Sequence, residues 1–99
     1  MYTFNAVVGT INLLGTLSDF EQKLAKLSGN VFDTVEAADS AMKIEVERRI
    51  NFIRESIKHE HRRINDTIYL DIRDDARARI KRLHTDLRNY LQVQSTLAT

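Results

Sequence analysis

The side chains of this chain whose types and spacing could do chemistry are three histidines, a group of aspartates and a row of basic residues. The stretch Lys58-His59-Glu60-His61 has the look of a metal site. On a helix, residues two apart point about 200° away from each other, so His59 and His61 cannot share one ion. Neither Glu-x-x-His nor His-Glu-x-x-His occurs, and the two common helical metal arrangements therefore lack their ligands. His61 falls on the apolar line described below and is expected to be a hydrogen-bonded core or interface residue. No metal, haem or other cofactor is expected.

Asp71, Asp74 and Asp75 lie close together in sequence. Asp71 and Asp75 share a helical face, where like charges repel and one carboxyl could be pushed toward its protonated form. Arg73, Arg77 and Arg79 surround them, so a compensated, solvated patch is the ordinary outcome. The serines and threonines are scattered, and none of the three glycines belongs to a phosphate-binding loop or a nucleophile elbow. The chain reads as non-enzymatic.

The basic row is more distinctive. Arg73, Arg77, Lys81, His84 and Arg88 recur at steps of four, four, three and four. They form one helical face, about 100° away from Ile72, Ala76, Ile80, Leu83 and Leu87. Arg73, Arg77, Lys81 and Arg88 are the candidate nucleic-acid contacts, each bound phosphate adding salt dependence, and Tyr90 is a neighbouring stacking candidate. The competing reading pairs these cations with acids on an adjacent helix, as happens beside coiled-coil seams. Asp74, Asp75 and Asp86 in the same region favour that second reading.

The amino-terminal stretch invites a protein partner instead. Residues 1–18 contain no charged side chain. Read as a helix, they put Phe4, Val8, Ile11 and Leu14 on one face, as anchors for a partner's groove or for an oligomer core. Without Lys or Arg on the polar face, a membrane surface is the weakest of the options.

The elements that must carry these residues are helical in this reading. In 99 residues there is no proline, no cysteine and only three glycines, too few breakers for a sheet-rich fold. One helical domain spanning 1–99 is expected. Apolar residues Phe4, Val7, Val8, Ile11, Leu14, Leu17, Phe20, Leu24 and Leu27 step by three and four, predicting a helix over about 3–28. Ser18-Asp19-Phe20-Glu21 has the form of a capping box, which marks a place for the segment to break or restart, and Gly29 is placed to cap its end. Asp33 opens the next helix as a capping carboxylate three residues before Glu36.

From there an apolar series runs through Met42, Val46, Ile50, Ile53, Ile57, His61, Ile64, Ile68, Ile72, Ala76, Ile80, Leu83, Leu87 and Leu91. Its mean step, near 3.75 residues, follows an eleven-residue rhythm. Helices over about 33–64 and 67–96 are predicted. Asn65-Asp66-Thr67 is a candidate turn, but the unbroken phase across it favours a continuous or kinked helix. The fold class is all-α, an antiparallel helical hairpin or three-helix bundle with coiled-coil-like packing. The acid-first pairs Asp39–Lys43, Glu45–Arg49, Glu55–His59 and Asp75–Arg79 are expected to stabilise exposed faces.

The net charge is +1, but residues 1–42 carry −3 and residues 43–99 carry +4. The absence of cysteine fits a reducing compartment, and a cytoplasmic protein is expected. No run of eighteen apolar residues predicts a membrane span. The reading is a self-associating interaction protein, a dimer or higher, which binds a macromolecular partner as scaffold, adaptor or inhibitor by occlusion. The alternative is a nucleic-acid-binding helical protein.

Overall fold

The computed structural model describes residues 1–98. The chain builds two short strands, β1 (Tyr2–Asn5) and β2 (Thr10–Leu13), then a single 3-10 turn at Leu14–Thr16. Three helices follow: α1 (Asp19–Leu27), α2 (Val35–Asp66) and α3 (Leu70–Leu97). The molecule is elongated, 53 × 31 × 16 Å. It is mostly helical but not purely all-α.

The helix expected over 3–28 is the principal correction. Its first half is an antiparallel hairpin in which Tyr2 faces Leu13, Thr3 faces Asn12, Phe4 faces Ile11 and Asn5 faces Thr10. The physical reason lies in the turn. Asn5 Oδ1 accepts the Val7 amide proton at 3.0 Å, and the Gly9 amide donates to the Asn5 carbonyl at 2.8 Å. Gly9 sits at φ +73°, a conformation that costs other residues roughly 1–2 kcal/mol. Thr3, Val7, Val8, Thr10 and Ile11 are β-branched and suit extended backbone. The Phe4, Val8, Ile11 spacing that imitated a helical face is a coincidence of hairpin geometry.

A third strand-like segment extends this sheet. Tyr2 and Phe32 exchange two backbone hydrogen bonds, each 2.8 Å long, and the Phe4 and Phe32 rings stack with centroids 5.9 Å apart. The hairpin's Phe4 and Ile11 pack onto the core cluster of Ala6, Met42, Val46 and Ile50. Leu87, Tyr90, Leu91, Val93 and Leu97 close that core from α3. The core thus sits at one end of the molecule, where hairpin, α2 and α3 meet.

The second half of the expected first helix does form, as α1. Ser18 Oγ accepts the Glu21 amide proton at 3.2 Å, the cap its sequence announced. Gly29, at φ +72°, ends it. At the next helix the cap is Thr34 rather than Asp33, its Oγ1 accepting from the Ala37 amide at 3.1 Å.

The expectation of a continuous or kinked helix through Asn65 is also overturned. α2 ends at Asp66, the backbone is extended at Thr67 and Tyr69, and α3 returns against α2. The Tyr69 amide donates to Thr67 Oγ1 at 3.2 Å. Arg73 Nε donates to the Thr67 carbonyl at 3.0 Å. The stripe stayed in phase because each helix brings its own stripe up to the turn. Ile68, at the turn, is 84% exposed.

Within α2 the buried positions are Ala38, Met42, Val46, Ile50, Ile53 and Glu60, so His61 is not the seam residue. It is exposed, and Glu60 takes the inward position. The error came from the eleven-residue line, which averages over the turn; on α2 alone the apolar inward residues step by four and three.

Candidate interaction surfaces

The two long helices give the molecule two flanks of different electrostatic character. On one flank, acids and bases are paired. Arg48 Nη2 and Arg49 Nε both donate to Glu45, at 2.6 and 2.8 Å. The hydrogen bond from Arg48, opposed by partial burial and helped by the bond from Arg49, holds the Glu45 carboxyl down at about 2, below its ordinary 4.5. Burial works against the charge of Arg49, but its bonds to Glu45 and Tyr90 outweigh that and raise its pKa. Arg49 Nη1 donates to Tyr90 Oη at 2.8 Å, and its guanidinium carbon lies 5.6 Å from the Tyr90 ring centre.

Further along the same flank, Glu60 is 7% exposed. Arg63 Nη1 from its own helix reaches it at 3.0 Å and Arg79 Nη1 from α3 at 3.6 Å. Among the described residues no buried side-chain polar atom lacks a partner. The buried groups of this flank are satisfied, and Tyr90 is engaged with Arg49 rather than offered to a ligand.

The opposite flank is not balanced in this way. Asn51, Arg54, Glu55, Ile57 and Lys58 of α2 and His84 and Leu87 of α3 line a groove of about 520 Å³. Lys58 Nζ lies 3.2 Å from Glu55, and on α3 Arg77 Nη1 lies 3.8 Å from Asp74. Among the described residues, Arg54, Lys81 and Arg88 make no ion pair. Of the four candidate nucleic-acid contacts, Arg77, Lys81 and Arg88 are exposed on α3. Arg73 is half-buried and engaged with the turn carbonyl of Thr67.

Apolar surface is exposed elsewhere too, at Met1, Val7, Val8 and Leu13 of the amino-terminal hairpin region and on the helices. Phe20, Leu24 and Leu27 recur at steps of four and three along α1 and are 71, 51 and 87% exposed. None of the residues of α1 is buried. A cleft of about 330 Å³, lined by Thr3, Asn12, Leu17, Leu24 and Ala25 among others, separates α1 from the hairpin. At the far end of the molecule, Ile68, Tyr69 and Leu70 are exposed at the interhelical turn. On the outer side of α2, Ile44 and Phe52 are exposed.

The four residues expected to anchor a partner do not share a face. Phe4 and Ile11 are half-buried against the molecule's own core, Leu14 is buried, and Val8 stands exposed at the hairpin turn. Sequence reasoning missed Phe20, Leu24 and Leu27 as a separate surface because they continued a longer apolar series. The capping box at Ser18 did mark a restart, and α1 begins there. It also missed Arg54 and Lys58, which join the basic row only once the chain is folded back on itself.

Of the expected pairs, Asp39–Lys43 forms at 2.9 Å and Glu45–Arg49 at 2.8 Å. Glu55 instead meets Lys58, and Arg79 reaches across to Glu60. Among the described residues no group of His, Asp and Glu side chains is placed to hold a metal ion, and no helix is long and apolar enough to cross a membrane.

No protein-family model matches this chain, and no curated protein or solved structure is significantly similar to it.

Proposed function

We propose that this chain is a non-enzymatic helical interaction protein that self-associates, as a dimer or higher, and holds a macromolecular partner as scaffold, adaptor or inhibitor by occlusion. The observation that carries the reading is the apolar face of α1, where Phe20, Leu24 and Leu27 stand uncovered. A nine-residue helix is too short to persist in water on its own propensity. It therefore gains from a surface that covers those side chains, each worth roughly 1.5–3 kcal/mol when fully buried.

A second copy complements that face by charge. Asp19 and Glu21 stand at the start of α1, Lys23 at its middle and Lys26 in its last turn. Two such helices laid antiparallel place the acids of each beside the lysines of the other. This is the self-complementary contact that a two-fold axis requires. Apolar side chains from both copies would interleave between the charges.

The test is the solution mass over a range of concentrations, by light scattering. The intact chain should associate, and Leu24→Asp should return it to the mass of one chain. Because α1 buries none of its residues within the chain, that variant should keep its circular dichroism. A single-chain mass for the unaltered protein at all concentrations would overturn the reading.

A further inference from the structure

The unbalanced flank of the two long helices goes beyond self-association. We propose that the surface carrying Arg54 and Lys58 of α2 with Lys81, His84 and Arg88 of α3 binds the phosphate backbone of a nucleic acid.

Folding creates this surface by joining two separate rows. Arg54 and Lys58 are one helical turn apart on α2, and both line the groove that His84 enters from α3. Lys81, His84 and Arg88 follow one another on the same side of α3 at steps of three and four. Arg77 continues that side toward the turn. From Arg77 to Arg88 the row runs about 17 Å at 1.5 Å per residue. The α2 cations lie across the groove from it, one interhelical spacing of roughly 8–10 Å away. The result is a two-row cationic strip rather than a single line.

The acids nearby reduce the charge of the strip without cancelling it, and Glu47, two turns before Arg54 on α2, is exposed without an ion pair among the described residues. Glu55 meets Lys58 and Asp74 meets Arg77, but Arg54, Lys81 and Arg88 have no ion-pair partner among the described residues. On the other flank Arg48, Arg49, Arg63 and Arg79 are spent on Glu45 and Glu60, and Arg82 stands there as a lone cation without an ion pair among the described residues.

The makeup of the strip favours a nucleic acid over an acidic protein. Protein interfaces draw their energy from large apolar or aromatic anchors at the centre of the patch. Here the groove floor is Ile57 and Leu87, both only partly accessible. The large exposed apolar residues of α1, the turn at 68–70 and the outer side of α2 lie elsewhere. What remains is spaced positive charge, which suits phosphates and reads no sequence by itself.

The experiment is fluorescence anisotropy of the full chain with labelled mixed-sequence duplex DNA and single-stranded RNA, at low and moderate salt. Salt-sensitive binding is expected to at least one of them. Arg54→Gln with Arg88→Gln should weaken it about tenfold or more. The same pair should lower the salt slope by about 1.4–1.8, since each phosphate left without its cation removes about 0.7–0.9. Arg82→Gln, which removes a charge beside Glu60 and Arg79 on the other flank, should have little effect.

Binding to neither nucleic acid would overturn the proposal. So would equal weakening by Arg82→Gln and by each strip substitution, which would mean net charge alone. Tighter binding of polyglutamate at the same residues would assign the strip to an acidic protein instead. The Leu24→Asp variant should retain binding, so a failure of self-association and a failure of this proposal are separately visible.

Discussion

Replacing Gly9 by alanine distinguishes the hairpin from a helix by the sign of its effect. In a helical amino-terminal segment, Gly→Ala would stabilise by roughly 1 kcal/mol. In the hairpin it must do the reverse. Gly9 lies at φ +73°, and a Cβ built there would stand 2.9 Å from Val93 Cγ1 of α3. The left-handed backbone costs alanine roughly 1–2 kcal/mol. The overlap with a packed side chain adds on the order of 1 kcal/mol. A less flexible unfolded chain returns roughly 0.4–1 kcal/mol. The net is a destabilisation of about 1–3 kcal/mol, and each kcal/mol is about 4–8 °C of melting temperature in a domain of this size.

Urea and thermal unfolding followed by circular dichroism would measure it. In a Val93→Ala background the overlap is relieved and the backbone cost stays, so Gly9→Ala should still destabilise, but by less. Gly15→Ala is the control. It has no positive φ and no neighbour within 4 Å of a new Cβ, and it should change stability by no more than about 0.5 kcal/mol. A Gly9→Ala variant more stable than the parent would refute the hairpin and its docking on α3.

Two further outcomes follow from the paired flank. Glu60→Leu should be neutral or stabilising by about 1 kcal/mol, because an apolar side chain replaces a buried carboxylate while Arg63 and Arg79, each partly exposed, turn to water. Glu60→Ala leaves a gap and should be the less stable of the two by urea midpoint; the opposite order would show that the ion pairs outweigh packing. The Glu45 carboxyl titrates at about 2 in the folded chain and near 4.5 otherwise. Its contribution to stability is complete above 4.5 and is lost as pH falls through that interval. Glu45→Gln should therefore flatten the acid limb of the stability profile, and an unchanged limb would count against the Arg48–Glu45–Arg49 cluster.

The long helices were legible because their signals were local and redundant. Met42, Val46, Ile50 and Ile53 repeat at helical steps over a stretch with neither glycine nor proline, and the caps at Ser18 and Gly29 are written in residue type. The amino-terminal segment was not, because its decisive features are weak in sequence and strong in three dimensions. One asparagine side chain, one glycine in a left-handed conformation and a cross-strand partner at Phe32 outweigh an apolar spacing that fits a helix equally well. The reversal at Thr67 was signalled by Asn65-Asp66-Thr67, but that signal was outweighed for a related reason. Ile64, Ile68 and Ile72 keep step through it, and nothing in the spacing tells a turn flanked by two stripes from one stripe that continues. Glu60 shows the limit of residue type as a guide to burial. A carboxylate is a poor seam candidate until Arg63 and Arg79 are known to meet it, and Arg79 comes from the other helix. The basic strip follows the same logic, since Arg54 and Lys58 acquire their neighbours only after the chain turns back.

The backbone bonds that join Tyr2 to Phe32 do more than add an edge to a small sheet. The Leu14 amide donates to the Met1 carbonyl at 2.9 Å, and Phe32 is fastened to Tyr2 at 2.8 Å. Everything between those points, α1 included, leaves and returns at one footing. An arm anchored at both feet, whose helix buries none of its residues, is held to the body by little packing, so opening it should cost less than melting the hairpin or the two long helices. The least stable part of the fold is then a closed loop of chain whose loss leaves the main core intact.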